Sequence, residues 1–85
     1  MSDRKHEPLF PGFKEMAAAR RALGEELVTR RRELGLSQTQ VAARMGTSQS
    51  AVARLEAGQG DVRLSTVERY AAALGSFVTW SVTEP

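Results

Sequence analysis

Between Leu36 and Gly58 the chain reads LSQTQVAARMGTSQSAVARLEAG, and this stretch constrains the fold more than any other. Ser37 stands where a helix needs an N-cap, and Gln40 three residues later completes a capping box. Val41, Ala42 and Met45 fall at i, i+1 and i+4, a narrow apolar stripe. Gly46-Thr47 then interrupts the helix, since glycine reaches left-handed backbone without a Cβ clash. Ser48 caps a second helix, whose inward face is Ala51, Val52 and Leu55, and Gly58 ends it. Two capped helices around a short glycine turn describe a helix-turn-helix.

The second helix keeps a face that the core does not need. Gln49, Ser50, Ala53 and Arg54 lie at i, i+1, i+4 and i+5, opposite Val52 and Leu55. Glutamine and arginine have bidentate geometry for adenine and guanine edges, and serine and alanine fit small gaps or a thymine methyl. They sit near the N-terminal half of the helix, the part that enters the major groove in such modules. A merely solvated polar face is the competing reading, and the capped double helix in front of it tips the balance toward DNA.

The run from Leu27 to Leu74 resembles the Xre family of helix-turn-helix regulators, which includes the phage repressor and Cro proteins. The resemblance rests on LSQTQVA at 36–42, MGTSQSAV at 45–52, RLEAG at 54–58 and LSTVERYAAALG at 64–75. It implies that Gln38 and Ser48 touch phosphates while Gln49, Ser50 and Arg54 reach bases. It also implies an ion pair between an arginine of the first helix and the glutamate before the end of the recognition helix, here Arg31 and Glu56. That pair reads as structural, because a partly buried charge needs its partner.

Eighty-five residues make one domain at the small end for a self-sufficient core. With no cysteine and one histidine, disulfides and cysteine-based zinc sites are excluded, which leaves oligomerisation as the route to added stability. No metal or cofactor is expected. No stretch approaches the ~20 apolar residues of a membrane span, and no signal-peptide apolar region stands at the start, so a cytoplasmic protein away from the membrane is expected. Twelve basic against ten acidic side chains give a net charge of +2. Phosphate attraction is local over about 8–10 Å, so clustering matters more than this total.

Residues 1–12 carry Pro8, Pro11 and Gly12 with mixed charge and read as a mobile arm, an untethered tail in preference to one that reaches DNA through Arg4, Lys5 and His6. Residues 13–75 form the expected DNA-binding domain. From Phe13 to Leu34 runs a helical stretch of good helix formers, with Leu23, Leu27 and Leu34 in one stripe that Met16 and Ala19 extend backward. Gly24 leaves one long helix or two shorter ones open. Arg30 and Arg32 point away from Arg31, toward solvent or phosphate. The loop from Gln59 to Arg63 is polar, and the family resemblance makes Arg63 a phosphate contact. Ser65 and Glu68 spell another capping box, followed by the stripe Val67, Tyr70, Ala71 and Leu74.

Residues 76–85 break the helical pattern. Phe77, Val78, Thr79, Trp80, Ser81, Val82 and Thr83 are β-branched or aromatic with period-two alternation, which predicts a strand. No second strand is legible in the chain, and a bare apolar edge is an aggregation hazard. The same strand of a second copy, antiparallel across a two-fold axis, answers this best, ahead of a fifth helix or a tail packed on its own domain. Phe77, Val78, Thr79, Trp80 and Val82 are then dimerisation residues. A terminal strand straight after such a helix is similar to the HipB kind of antitoxin.

The expected fold is therefore all-α, a compact bundle of four to five helices with a C-terminal strand paired across a homodimer. The expected function is a dimeric regulator, an autorepressor reading a palindrome in double-stranded DNA. The alternative is an antitoxin that neutralises a partner toxin protein and controls its own operon. An enzyme is not expected, for the chain has no Gly-rich phosphate loop, no HExxH and no CxxC.

Overall fold

The structure is a computed structural model and describes residues 12–82 and 84. The arm read at residues 1–12 therefore lies, save for Gly12, outside the described residues. Four helices follow in order: α1 (Phe13–Glu33), α2 (Gln38–Met45), α3 (Gln49–Glu56) and α4 (Leu64–Ala73). The chain is all-helical among the described residues, with α3 packed against both α1 and α2, and α4 packed against α2.

Local signals account for most boundaries. The Ser37 hydroxyl accepts from the Gln40 backbone N–H at 3.0 Å, and the Gln40 side chain accepts from the Ser37 N–H at 2.7 Å. Ser48 accepts from the Ala51 N–H at 3.2 Å and opens α3. Between them Gly46 takes φ 73°, and the Thr47 N–H reaches back to the Ala42 carbonyl at 2.9 Å. That six-to-one closure satisfies a carbonyl the helix end would otherwise leave bare. The same bond ends the other three helices, from Leu36 to Arg31, Gln59 to Arg54 and Ser76 to Ala71.

The core joins Leu27 of α1, Val41 and Met45 of α2, Val52 and Leu55 of α3, Val67 and Tyr70 of α4, and Leu74 at the end of α4. Val41, Val52 and Tyr70 have no exposed surface at all. Removing such area from water contributes about 25 cal/mol per Å², so these positions carry the association of α2, α3 and α4. Gly24 does not divide α1. A Cβ there would fall well inside contact distance of the Glu56 carbonyl oxygen, so the glycine lets the end of α3 lie against the helix backbone.

Three expectations need correction. The fourth helix begins at Leu64, one residue before the serine read as its cap. Arg63 occupies the N-cap position, its carbonyl taking the N–H groups of Thr66 and Val67, and no side chain caps this end. The apolar stripe of α1 is buried only at Leu27, with Leu23 partly buried; Met16 and Leu34 are exposed among the described residues.

The expected C-terminal strand is the third. Residues 76–82 carry no strand, and the four helices are not followed by a fifth among the described residues. A strand exists through ladder hydrogen bonds to a neighbour, and the described residues of one copy supply none. Val78 instead packs against the core, while Phe77 is 85%, Trp80 49% and Val82 101% exposed. The period-two pattern recorded an apolar demand, not a partner.

Candidate nucleic-acid interface

Arg31 projects from α1 and Glu56 from the last residue of α3, and burial forces them together. The guanidinium grips the carboxylate edge-on, Nε to Oε2 at 2.7 Å and Nη2 to Oε1 at 3.1 Å. The remaining Nη1 donates to the Leu36 carbonyl at 2.9 Å, tying the α1–α2 turn to the same point. Tyr70 of α4 donates its hydroxyl to Glu56 Oε2, and Gln38 of α2 donates its amide to Oε1 at 2.8 Å. One buried carboxylate thus collects donors from all three other helices.

The charges follow this geometry. Burial alone would raise the Glu56 carboxyl, but hydrogen bonds from Arg31, Tyr70 and Gln38, with the Arg31 charge, hold it below the ordinary carboxylate value. The hydrogen bond to Glu56 raises Arg31 further, against its own desolvation. Burial first, then the bond to Glu56, pushes the Tyr70 hydroxyl up. Every group in the cluster is fixed in one protonation state across the neutral range.

From the cluster a polar line runs outward to the surface. Gln49, the first residue of α3, donates its amide to the Gln38 carbonyl oxygen, and Gln38 in turn donates to Glu56. A glutamine side chain has two N–H donors and one carbonyl acceptor. With one N–H of Gln49 spent on Gln38, one donor and its oxygen are left, the pair that matches the adenine major-groove edge. Gln38 retains one N–H, enough for a phosphate oxygen.

Around this line the other site residues take their places. Ser48 and Ser50 approach each other at 3.2 Å between hydroxyl oxygens, both exposed at the start of α3. Arg54 is exposed one turn further along, and it shares a shallow concavity of about 300 Å³ with Arg63, Asp61 and Thr66. The fold therefore gathers Gln38, Ser48, Gln49, Ser50 and Arg54 on one side of α3 and sets Arg63 beside Arg54. Arg30 stands apart, in an exposed 3.5 Å pair with Glu33. No group of three or more potential metal ligands occurs among the described residues, and none of their helices is long and apolar enough to cross a membrane.

Two residues here escaped sequence reading. Tyr70 was legible as core, and its hydroxyl was the missed signal, since a buried phenol must find a partner. Arg44 donates Nη1 to the Ala73 carbonyl at 2.9 Å, clamping the end of α2 to the end of α4. Nothing in the local sequence marks that contact.

Comparison with known proteins adds independent findings. A family model described as helix-turn-helix matches residues 27–80. Antitoxin HigA1 of Mycobacterium tuberculosis is 43% identical over 68 residues, covering 80% of this chain and 46% of that protein. An uncharacterised HTH-type transcriptional regulator of Haemophilus influenzae is 43% identical over 54 residues, covering 64% of this chain and 55% of its own length. The chain thus spans about half the length of these curated relatives. Among solved structures, the restriction-modification controller protein C.AhdI from Aeromonas hydrophila superposes with a TM-score of 0.66 at 33% identity, covering 71% of this chain and 87% of that one.

Proposed function

Because the chain belongs to the helix-turn-helix family that matches residues 27–80, we propose that it is a sequence-specific DNA-binding transcriptional regulator acting as a homodimer. The observation that carries this reading is the line from Glu56 through Gln38 to Gln49. It ends in a glutamine already oriented at the exposed N-terminus of α3. In this mechanism residues 13–75 form the DNA-binding domain, and each copy lays α3 in a major groove, two half-sites about 34 Å apart. Gln49, Ser50 and Arg54 read base edges, while Gln38, Ser48 and Arg63 set register on phosphates. Residues 76–85 join the two copies through the side chains of Phe77, Val78, Thr79, Trp80 and Val82. The reading assigns the chain no catalytic step and makes it an autorepressor.

A salt titration of binding to the DNA upstream of its own gene, set against scrambled DNA of equal length, tests this. Affinity for the upstream fragment at least about a thousandfold above that for scrambled DNA supports a specific regulator. Equal, weak and salt-sensitive binding to both would sink it.

The likeness to antitoxin HigA1 favours a second role compatible with the first, in which the chain also neutralises a partner toxin protein. Co-expression with the product of an adjacent gene that arrests growth tests it. Growth that stays arrested rejects the role.

A further inference from the structure

Away from the recognition unit, a groove of about 550 Å³ runs beside the N-terminal half of α1. Arg20 and Leu23 form one wall, Leu64 and Val67 of α4 another, and Trp80 and Ser81 of the tail its rim. Two observations set it apart. Two large apolar side chains that line it, Leu64 and Trp80, are exposed. Arg20, half-buried along the wall, has its Nε shut off from solvent with no hydrogen-bond partner among the described residues. A buried donor left unpaired costs free energy, and native folds seldom leave one so.

Arg31 shows what such a guanidinium edge takes, for its Nε and Nη2 hold the two oxygens of Glu56. Arg20 lines a mostly apolar trough whose other charged lining residue is Glu26 of the same helix. Its complement is a segment with large apolar side chains and one carboxylate. The tail of this chain has that composition: from Ser76 onward its single charged side chain is Glu84, which is exposed, and it follows Phe77, Trp80 and Val82.

We propose that a second copy of the chain completes this groove, its tail bringing Glu84 to the Arg20 guanidinium. The proposal rests on the homodimer of the preceding subsection and adds the surface and the pair that define it. A two-fold axis presents the same patch on both copies. The tail already rims its own groove, so the second tail arrives at the same rim, and antiparallel passage carries each tail's end over the other copy. Two reciprocal Arg20–Glu84 pairs then flank a shared apolar seam.

Sedimentation of Arg20→Glu, Glu84→Arg and their equimolar mixture tests the pairing. Each reversal alone sets like charges together and weakens self-association by about tenfold or more. Mixing restores it, because in the mixed dimer both pairs are again of opposite sign. A pair formed within one chain would gain nothing from mixing. Glu84 is exposed, so its reversal leaves the fold intact even if Arg20→Glu does not. A dimer indifferent to both reversals, or a mixture no tighter than its components, overturns the proposal and leaves the dimer standing. A wild-type chain that stays monomeric overturns both.

Discussion

The recognition unit between Arg31 and Gly58 and the seam formed by the front of α1 with the tail are built to opposite standards. In the first, the guanidinium and carboxylate at the centre have partners for their charged atoms, and Val41, Met45, Val52 and Leu55 are buried. In the second, large apolar side chains face water and the Nε of Arg20 has no acceptor among the described residues. One region is finished within a single copy, and the other is not. The contrast teaches that a domain this small need not spread its incompleteness evenly. It can hold the DNA-reading surface rigid and leave the unfinished surface for assembly.

Substitutions can break that contrast, and the largest effect is expected at Glu56. Glu56→Ala leaves the Arg31 guanidinium buried and uncompensated, a loss of about 3–5 kcal/mol in urea unfolding. A loss under about 1 kcal/mol would mean the cluster is not what pins the unit. The same cluster sets a pH window. The Glu56 contribution is complete above the ordinary value of 4.5 and is lost as pH falls through the lower folded value. Tyr70, raised in the fold, contributes stability below its ordinary value of 10.0 that is lost as pH climbs toward the folded value. Unfolding followed from pH 3 to 11 should fall at both ends, and Tyr70→Phe should remove the alkaline limb and shrink the acid one, because its hydroxyl helps hold Glu56 down.

Next in size is Gly24→Ala, which sets a methyl against the Glu56 backbone and forces α1 and α3 apart. It should lower stability by about 1–3 kcal/mol although alanine is the better helix former. A more stable variant would show that the close approach is not needed.

Arg54→Ala separates reading from folding. Binding to the cognate fragment should weaken by ~1–3 kcal/mol with relaxed preference at one base position, at an unchanged melting temperature. Loss of affinity that is equal on scrambled DNA would move Arg54 from bases to phosphates.

The smallest folding effect belongs to the unfinished region. Phe77→Ser should stay within about 0.5 kcal/mol of the parent at protein concentrations where both are monomeric, yet reduce self-association in sedimentation. A large loss of monomer stability there would erase the contrast altogether.

How much of this could be read from the sequence follows from the range of each interaction. The caps at Ser37 and Ser48 and the turn at Gly46 were legible because partner atoms lie within a few residues. The core stripes of α2, α3 and α4 were legible by spacing. The start of α4 was not, because a serine and a glutamate three apart match the capping pattern without occupying it, and the helix opens two residues earlier on the Arg63 carbonyl. The tail misled for a deeper reason: alternation reports which side chains seek cover, while a strand requires hydrogen bonds that no local pattern encodes. The Arg31–Glu56 pair was named from family resemblance; its donors from Tyr70 and Gln38 come from residues 14 and 18 positions away and had no local signature.

The polar line that ends at Gln49 has a consequence for anyone who would transplant this specificity. Grafting α3 onto another scaffold carries Gln49, Arg54 and Glu56 but leaves behind Gln38, Arg31 and Tyr70, which stand on the three other helices. The graft would present the right letters in a loose hand: a glutamine free to rotate, and a carboxylate stripped of the donors that kept it ionised. The portable unit is therefore a keystone and its arch, five side chains moved together or not at all.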